Sequence, residues 1–344
     1  MEDWLSGVWY GNGAGKVLLL PLSGLFRSLT FLRRHLYRRG ILRSYRLPVP
    51  VVVVGNLSVG GTGKTPLVLW LAMALQHLGL RPGIVSRGYG GKAQSWPQTV
   101  TADSDPALVG DEPVLLAARS GCPVVVGPDR VAAATRLLKR DVDLILSDDG
   151  LQHYRLIRDV EIVVVDASRG LGNGACLPAG PLREPIGRLG SVDYLVINGE
   201  GPLPDGCADA GVTVLHMRMT VGPVLPLLGG AARTLSDFAG VKVHALAGIG
   251  NPDRFFALLA AAGIEYIPHP HPDHAELTAS EVSFDDDYPV LMTEKDAVKC
   301  AGFATKDCWS VPVDVIFVRG PVDALLTRIR SAAGEERADS VSGE

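Results

Sequence analysis

VVVVGNLSVGGTGKTP, residues Val51 to Pro66, sets four β-branched residues directly before a glycine-rich loop and a lysine. Such a run reads as a strand buried on both faces, and the glycines that follow break its period. From Lys64 the chain continues L-V-L-W-L-A-M-A-L after Thr65 and Pro66, apolar enough for a helix packed on a sheet. Strand, glycine loop and helix together predict a phosphate cradle. Glycines at 60, 61 and 63 let backbone N–H groups converge on an anion that the helix N-terminus also attracts. The expected nucleotide-binding residues are Ser58, Val59, Gly60, Gly61, Thr62, Gly63, Lys64 and Thr65, with Lys64 reaching the β/γ-phosphates and the Thr65 hydroxyl a Mg²⁺ ion. One position departs from G-x-x-x-x-G-K-[ST]: Ser58 stands where the first glycine belongs. The competing reading is an ordinary glycine-rich strand-to-helix turn.

Outward from this loop, Val142 to Asp149 runs as a mostly apolar strand ending in two adjacent carboxylates. In a nucleotide-binding sheet, Asp148 and Asp149 would stand at the Mg²⁺ of Mg–ATP, and two carboxylates so close need a cation nearby. A solvated acidic loop is the alternative. The stretch R-P-G-I-V-S-R-G-Y-G-G from Arg81 places Ser86, Arg87 and Tyr89 at a strand's carboxyl end, where open α/β sheets bind ligands. In Gly110-Asp111-Glu112-Pro113, Asp111 has the position of a helix N-cap, and capping alone could explain it. The loop L-P-A-G-P-L-R-E-P, residues 177–185, cannot be a regular element; it presents Arg183 and Glu184 either as a scaffold turn or as an anion clamp. The expected fold is therefore α/β: a P-loop NTPase-like, mostly parallel sheet domain over 49–230. A second, smaller α/β domain follows over 231–318, then a closing helix over 319–332. The polar tail 333–344 is expected to be disordered.

At 344 residues, 47% hydrophobic and 20% charged, the chain has material for two buried cores. Five cysteines without a C-x-x-C pair argue for reduced thiols in a cytosolic setting. His269, His271 and His274 lie in a proline-broken loop without helical spacing, so no zinc site is expected. The net charge of −4 conceals an asymmetry: residues 1–50 carry +6, leaving −10 elsewhere. Nothing here points to nucleic acid or to a protein partner. Within residues 1–48, the apolar run Val17 to Phe26 is interrupted by Pro21 and is shorter than the roughly 20 residues a bilayer span needs. It also lacks the order of a secretory signal. From Leu22 on, Leu22, Leu25, Phe26, Leu29, Leu32 and Leu36 share one helical face, and Arg27, Arg34 and Arg38 the other. With Trp4, Trp9 and Tyr10 nearby, this N-terminal amphipathic helix is expected at a membrane surface with anionic lipids. The competing expectation packs its apolar face on the protein's own core.

Taken together, G-N-L-S-V-G-G-T-G-K-T-P, S-R-G-Y-G-G, G-D-E-P, S-D-D-G-L-Q-H and L-P-A-G-P-L-R-E-P, then P-D-H and T-E-K-D-A-V-K, resemble the tetraacyldisaccharide 4′-kinase (lipid A 4′-kinase) family of Gram-negative bacteria. The resemblance covers roughly residues 15 to 320. It implies an enzyme on the cytoplasmic face of the bacterial inner membrane, peripheral or monotopic. Such an enzyme moves the γ-phosphate of ATP to the 4′-hydroxyl of a tetraacylated glucosamine disaccharide 1-phosphate. It implies Mg²⁺ held by Thr65, Asp148 and Asp149, Lys64 on the phosphates, and Asp111 as general base with His274 of P-D-H as its partner. Arg183 and Glu184 match the family's charged pair. Two other classes remain open on the residues alone: a membrane-associated P-loop ATPase switch, and a cytosolic small-molecule kinase. A guanine-specific switch would usually carry N-K-x-D, and this chain offers only T-E-K-D.

Overall fold

The computed structural model describes residues 2–11 and 15–341 and divides into two compact units. The first comprises Met1–Arg87, Asp129–Arg218 and Ile316–Glu344; the second comprises Gly88–Pro128 and Met219–Val315. This division differs from the expected boundaries, because residues 88–128, which carry Asp111, belong with the smaller unit. The cause is packing: the helix Asp111–Ser120 lies against the helix Glu294–Cys300, and Arg119 between them pairs with Glu294 and Asp314.

In the first unit six strands stand in the order Thr213–Val221, Tyr194–Asn198, Val160–Asp166, Val51–Gly55, Leu144–Asp148, Pro82–Ser86. Every neighbouring pair is parallel. The four valines of the central strand are buried, as continuous β-branched runs are in sheets covered on both faces. The helix Lys64–His77 supplies part of that cover, burying Leu67, Val68, Leu71, Ala72 and Leu75. Register decides where the chemistry falls: Val54 pairs with Asp148, so the central strand releases the glycine loop beside the acidic strand end. Gly150 sits tightly at the turn after that end, where a Cβ would meet Ser147 Oγ at 2.4 Å, Ser147 Cβ at 3.1 Å and Val53 Cγ1 at 3.2 Å.

The N-terminal segment forms helices Glu2–Tyr10 and Gly15–Arg38. The second continues through Pro21 for 24 residues, about 36 Å at 1.5 Å per residue, and is long and apolar enough to cross a membrane by length and composition. The helix is thus longer than the apolar run Val17 to Phe26, since Pro21 lies within it and does not end it. The face left open is the leucine face that the sequence expects at a surface. Polar groups hold the helix to the first unit: Lys16 Nζ donates to the Asn173 carbonyl, Ser23 Oγ to that of Cys176 and Arg34 to Ser191 Oγ. Leu22, Leu25, Leu29 and Leu32 are each more than half exposed. The apolar face points away from the protein, opposite to what packing on its own core requires.

The second unit is built on a sheet ordered Glu265–Pro270, Lys242–Ala247, Val290–Thr293, Cys308–Val311, all parallel, with Leu225–Pro226 antiparallel at the edge. One face packs Phe238, Phe255, Phe256, Leu259 and Trp309. Another cluster gathers Leu246, Leu277, Met292, Cys300 and Cys308. In the first unit, the closing helix spans Val322–Val341, so residues 333–341 are helical where an irregular tail was expected. Their Ala, Glu and Arg content favours helix despite Gly334. Residues 342–344 lie outside the described residues.

Candidate active site

In the first unit, Gly60 and Gly63 take φ of 97° and 94°, left-handed values that glycine adopts without steric cost. Gly63 is the N-cap of the helix Lys64–His77 and offers no side-chain cap. The first N–H groups of that helix are thus directed outward, as anion binding requires. The loop is braced from outside. Val59 N donates to the Pro181 carbonyl and Arg183 N to that of Leu57, while Asn198 Nδ2 donates to the Thr62 carbonyl. L-P-A-G-P-L-R-E-P therefore serves as the scaffold of the phosphate loop and at the same time brings Arg183 to it.

Lys64 Nζ lies 3.6 Å from Asp149 Oδ1, and Arg183 Nη1 donates to both Asp149 oxygens at 3.1 Å. Burial raises the Asp149 pKa, but Lys64, Arg183 and Arg130 outweigh it and hold this carboxylate below its ordinary value. Thr65 Oγ1 lies 3.5 Å from Asp148 Oδ2. A hydroxyl and a carboxylate this close form a hard-oxygen donor pair of the kind Mg²⁺ takes alongside waters and phosphate oxygens. The residues therefore fit the ion. Glu184 stands apart from this cluster of charges. Its buried carboxylate accepts from Tyr154 Oη at 2.7 Å and pairs with Arg188 at 3.3 Å. Burial raises its pKa.

The second unit brings together Asp111 and His274, 163 residues apart in sequence: Nδ1 of the imidazole lies 3.1 and 3.2 Å from the two carboxylate oxygens. Asp111 is the first helical residue rather than the N-cap; Gly110 takes that place with φ of 92°. The carboxylate accepts from Glu112 N and also turns to His274, whose own backbone is left-handed at φ 60°, a conformation costing about 1–2 kcal/mol for a residue with a side chain. Burial raises the Asp111 pKa, but the His274 hydrogen bond and the charges of Lys295, His274 and Lys299 together lower it. The Asp111 bond raises the His274 pKa, outweighing burial and Lys295. Beside the pair lies a cavity of about 320 Å³ whose lining includes Tyr89, Gly90, Pro106, Leu277 and Phe303.

The other two loop histidines go elsewhere, His269 to His244 and His271 to Glu281. Thr293 caps the helix Glu294–Cys300, accepting from Asp296 N. Lys295 and Lys299 were missed as site residues. Both stand in T-E-K-D-A-V-K, and their spacing of four puts them on one face of a helix.

Comparison with known proteins gives the family. The family described as LpxK, tetraacyldisaccharide-1-P 4′-kinase, matches residues 15–330. A tetraacyldisaccharide 4′-kinase of Alkalilimnicola ehrlichii is 55% identical over 316 residues, 91% of this chain and 93% of that one. The enzyme of the same name from Nitrosococcus oceani is 53% identical over 319 residues, 92% of each. A crystal structure of LpxK from Aquifex aeolicus in complex with ATP superimposes with a TM-score of 0.77 at 29% identity, covering 92% of this chain and 99% of that one. With glycine loop, acidic strand end and carboxylate–imidazole pair all in place, the chain belongs to the tetraacyldisaccharide 4′-kinase family, a family of kinases.

Proposed function

We propose that this chain transfers the γ-phosphate of ATP to the 4′-hydroxyl of a tetraacylated glucosamine disaccharide 1-phosphate, with Asp111 as the base. The observation that carries the residue assignment is the Asp111–His274 contact at 3.1 Å. A sugar hydroxyl is a very weak acid, and its attack on phosphorus is helped by a group that takes the proton as the bond forms. Asp111 takes it, with His274 orienting the carboxylate. Lys64 and the amides of residues 60–65 steady the charge on the phosphoryl oxygens. Arg183 holds Asp149 at the mouth of the loop, and Glu184, through Arg188 and Tyr154, keeps the Arg183 loop in place. Mg²⁺, held by Thr65 and Asp148 with Asp149 close by, would supply charge neutralisation on the phosphates.

The exposed leucines of Gly15–Arg38, with Arg27, Arg33 and Arg38 exposed among them, support attachment to the surface of an anionic bilayer, where a four-chain lipid substrate resides. This reading sets the enzyme on the cytoplasmic face of the inner membrane. The experiment is labelled ATP with the disaccharide 1-phosphate in detergent micelles. Label is expected in the lipid, and Lys64→Ala is expected to abolish it. Release of free phosphate alone would mark an ATPase switch instead, and unlabelled lipid with a labelled soluble alcohol would mark a small-molecule kinase.

A further inference from the structure

His274 makes a second contact, on the side of the ring away from Asp111. Its Nε2 lies 3.2 Å from the ammonium of Lys295. An ammonium has only protons to offer, so this contact is a hydrogen bond only when Nε2 carries none. The ring's single proton then belongs on Nδ1, the atom facing Asp111. Lys295 itself is fixed from three directions: Asp273 at 2.7 Å, Glu112 at 3.3 Å and Asp111 at 3.9 Å.

We propose that Lys295 is a positioning residue for the transfer reaction, holding neutral His274 as its Nδ1–H tautomer so that the ring donates to Asp111 and leaves that carboxylate the sole proton acceptor of the pair. The inference rests on the assignment of Asp111 as base. Without Lys295, the imidazole is free to turn its bare nitrogen to Asp111, or to take a second proton and form an ion pair in which the carboxylate is less basic.

The groups facing the pair come from four elements. They are Tyr89, whose ring centroid is 4.9 Å from that of His274; Glu112 on the helix of Asp111; Asp273, 3.7 Å from Nε2; and Lys295 and Lys299 on the helix Glu294–Cys300. Lys299 lies 3.8 Å from Asp111 but is held by Asp296 at 2.9 Å. Among the described residues, Lys295 is thus the cation that stands against both members of the pair. Its charge lowers the pKa of each.

The test has two parts. In the full-length protein in micelles with ¹⁵N-labelled histidine, above the pH at which His274 titrates, the signals lost in His274→Gln should show a protonated Nδ1 and a bare Nε2. In Lys295→Met, the His274 titration should move up by about one pH unit, and the acid limb of the kcat profile should move up with it. Lys295→Arg should restore both, because it keeps the charge. An Nε2–H tautomer in the unsubstituted protein would overturn the proposal, and that measurement needs no variant to fold. A Lys295→Met protein with reduced rate but unmoved titration and unmoved pH profile would overturn it too, showing only a structural tie. Failure of the base assignment reads differently: Asp111→Asn would keep its full rate whatever the tautomer of His274.

Discussion

Asp111 shows how one residue acquires its character from groups that are distant in sequence. Its position after Gly110 was visible as a helix start, and capping was a sufficient account of it. The contact with His274 and the two lysines is what makes it a charged, buried acceptor. Because its pKa is depressed, its contribution to stability is full above the ordinary carboxylate value of about 3.9 and is lost as pH falls through the lower folded value. His274 runs the other way. Its pKa is raised, so its contribution is full below about 6.5 and is lost as pH rises through the folded value. Asp111→Asn should therefore cost most stability between these limits, and less on either side, in urea unfolding followed across pH. The same variant should lower kcat by about 10²–10⁴-fold, the usual share of a general base. Equal kcat for the two proteins would remove Asp111 from the chemistry.

At the scale of the element, the phosphate loop carries its function in its backbone. Gly63 adopts φ of 94° and begins the helix Lys64–His77. A Cβ there strains the left-handed conformation by about 1–2 kcal/mol. Gly63→Ala is thus expected to weaken ATP binding by about tenfold, measured by calorimetry, and to leave the helix in place by circular dichroism. Unchanged affinity would mean that the loop does not need this conformation to hold phosphate. The strand and helix flanking the loop were legible because their apolar patterns are strong and local. The role of residues 177–185 was not. Whether a Pro- and Gly-rich loop clamps an anion or braces a neighbour depends on what it touches, and here Pro181 and Arg183 bond the backbone of the phosphate loop itself. Pattern also left open whether the leucine face of Gly15–Arg38 meets the protein or lies outside it. Helical periodicity separates apolar from basic residues but carries no information on which side meets protein. The polar contacts of Lys16, Ser23 and Arg34 settle that.

For the whole molecule, that outward apolar stripe gives a prediction at the membrane. Leu25 and Leu29 are 59% and 58% exposed, so Leu25→Asp with Leu29→Asp should change folding stability by no more than about 0.5 kcal/mol. It should nevertheless reduce binding to anionic vesicles by more than about tenfold, since each leucine contributes about 1.5–3 kcal/mol when buried. Flotation with vesicles checks the second expectation and thermal unfolding the first; undiminished flotation would place the membrane contact elsewhere. Composition and periodicity by themselves established an α/β chain with a phosphate-binding strand, loop and helix, an acidic strand end and a basic, apolar N-terminal segment. All of these are written in residues that are contiguous or a few positions apart, where local sterics and propensity dictate the outcome. The pairing of Asp111 with His274 was expected only through the family resemblance, and the tertiary structure supplied its geometry; that structure alone decided that residues 88–128 join the smaller unit and that Lys295 stands against the far side of that ring. Asp111 and His274 are 163 residues apart and Lys295 and His274 21 apart on separate elements, and such relations are set by which buried surfaces pack together, a quantity no local pattern encodes.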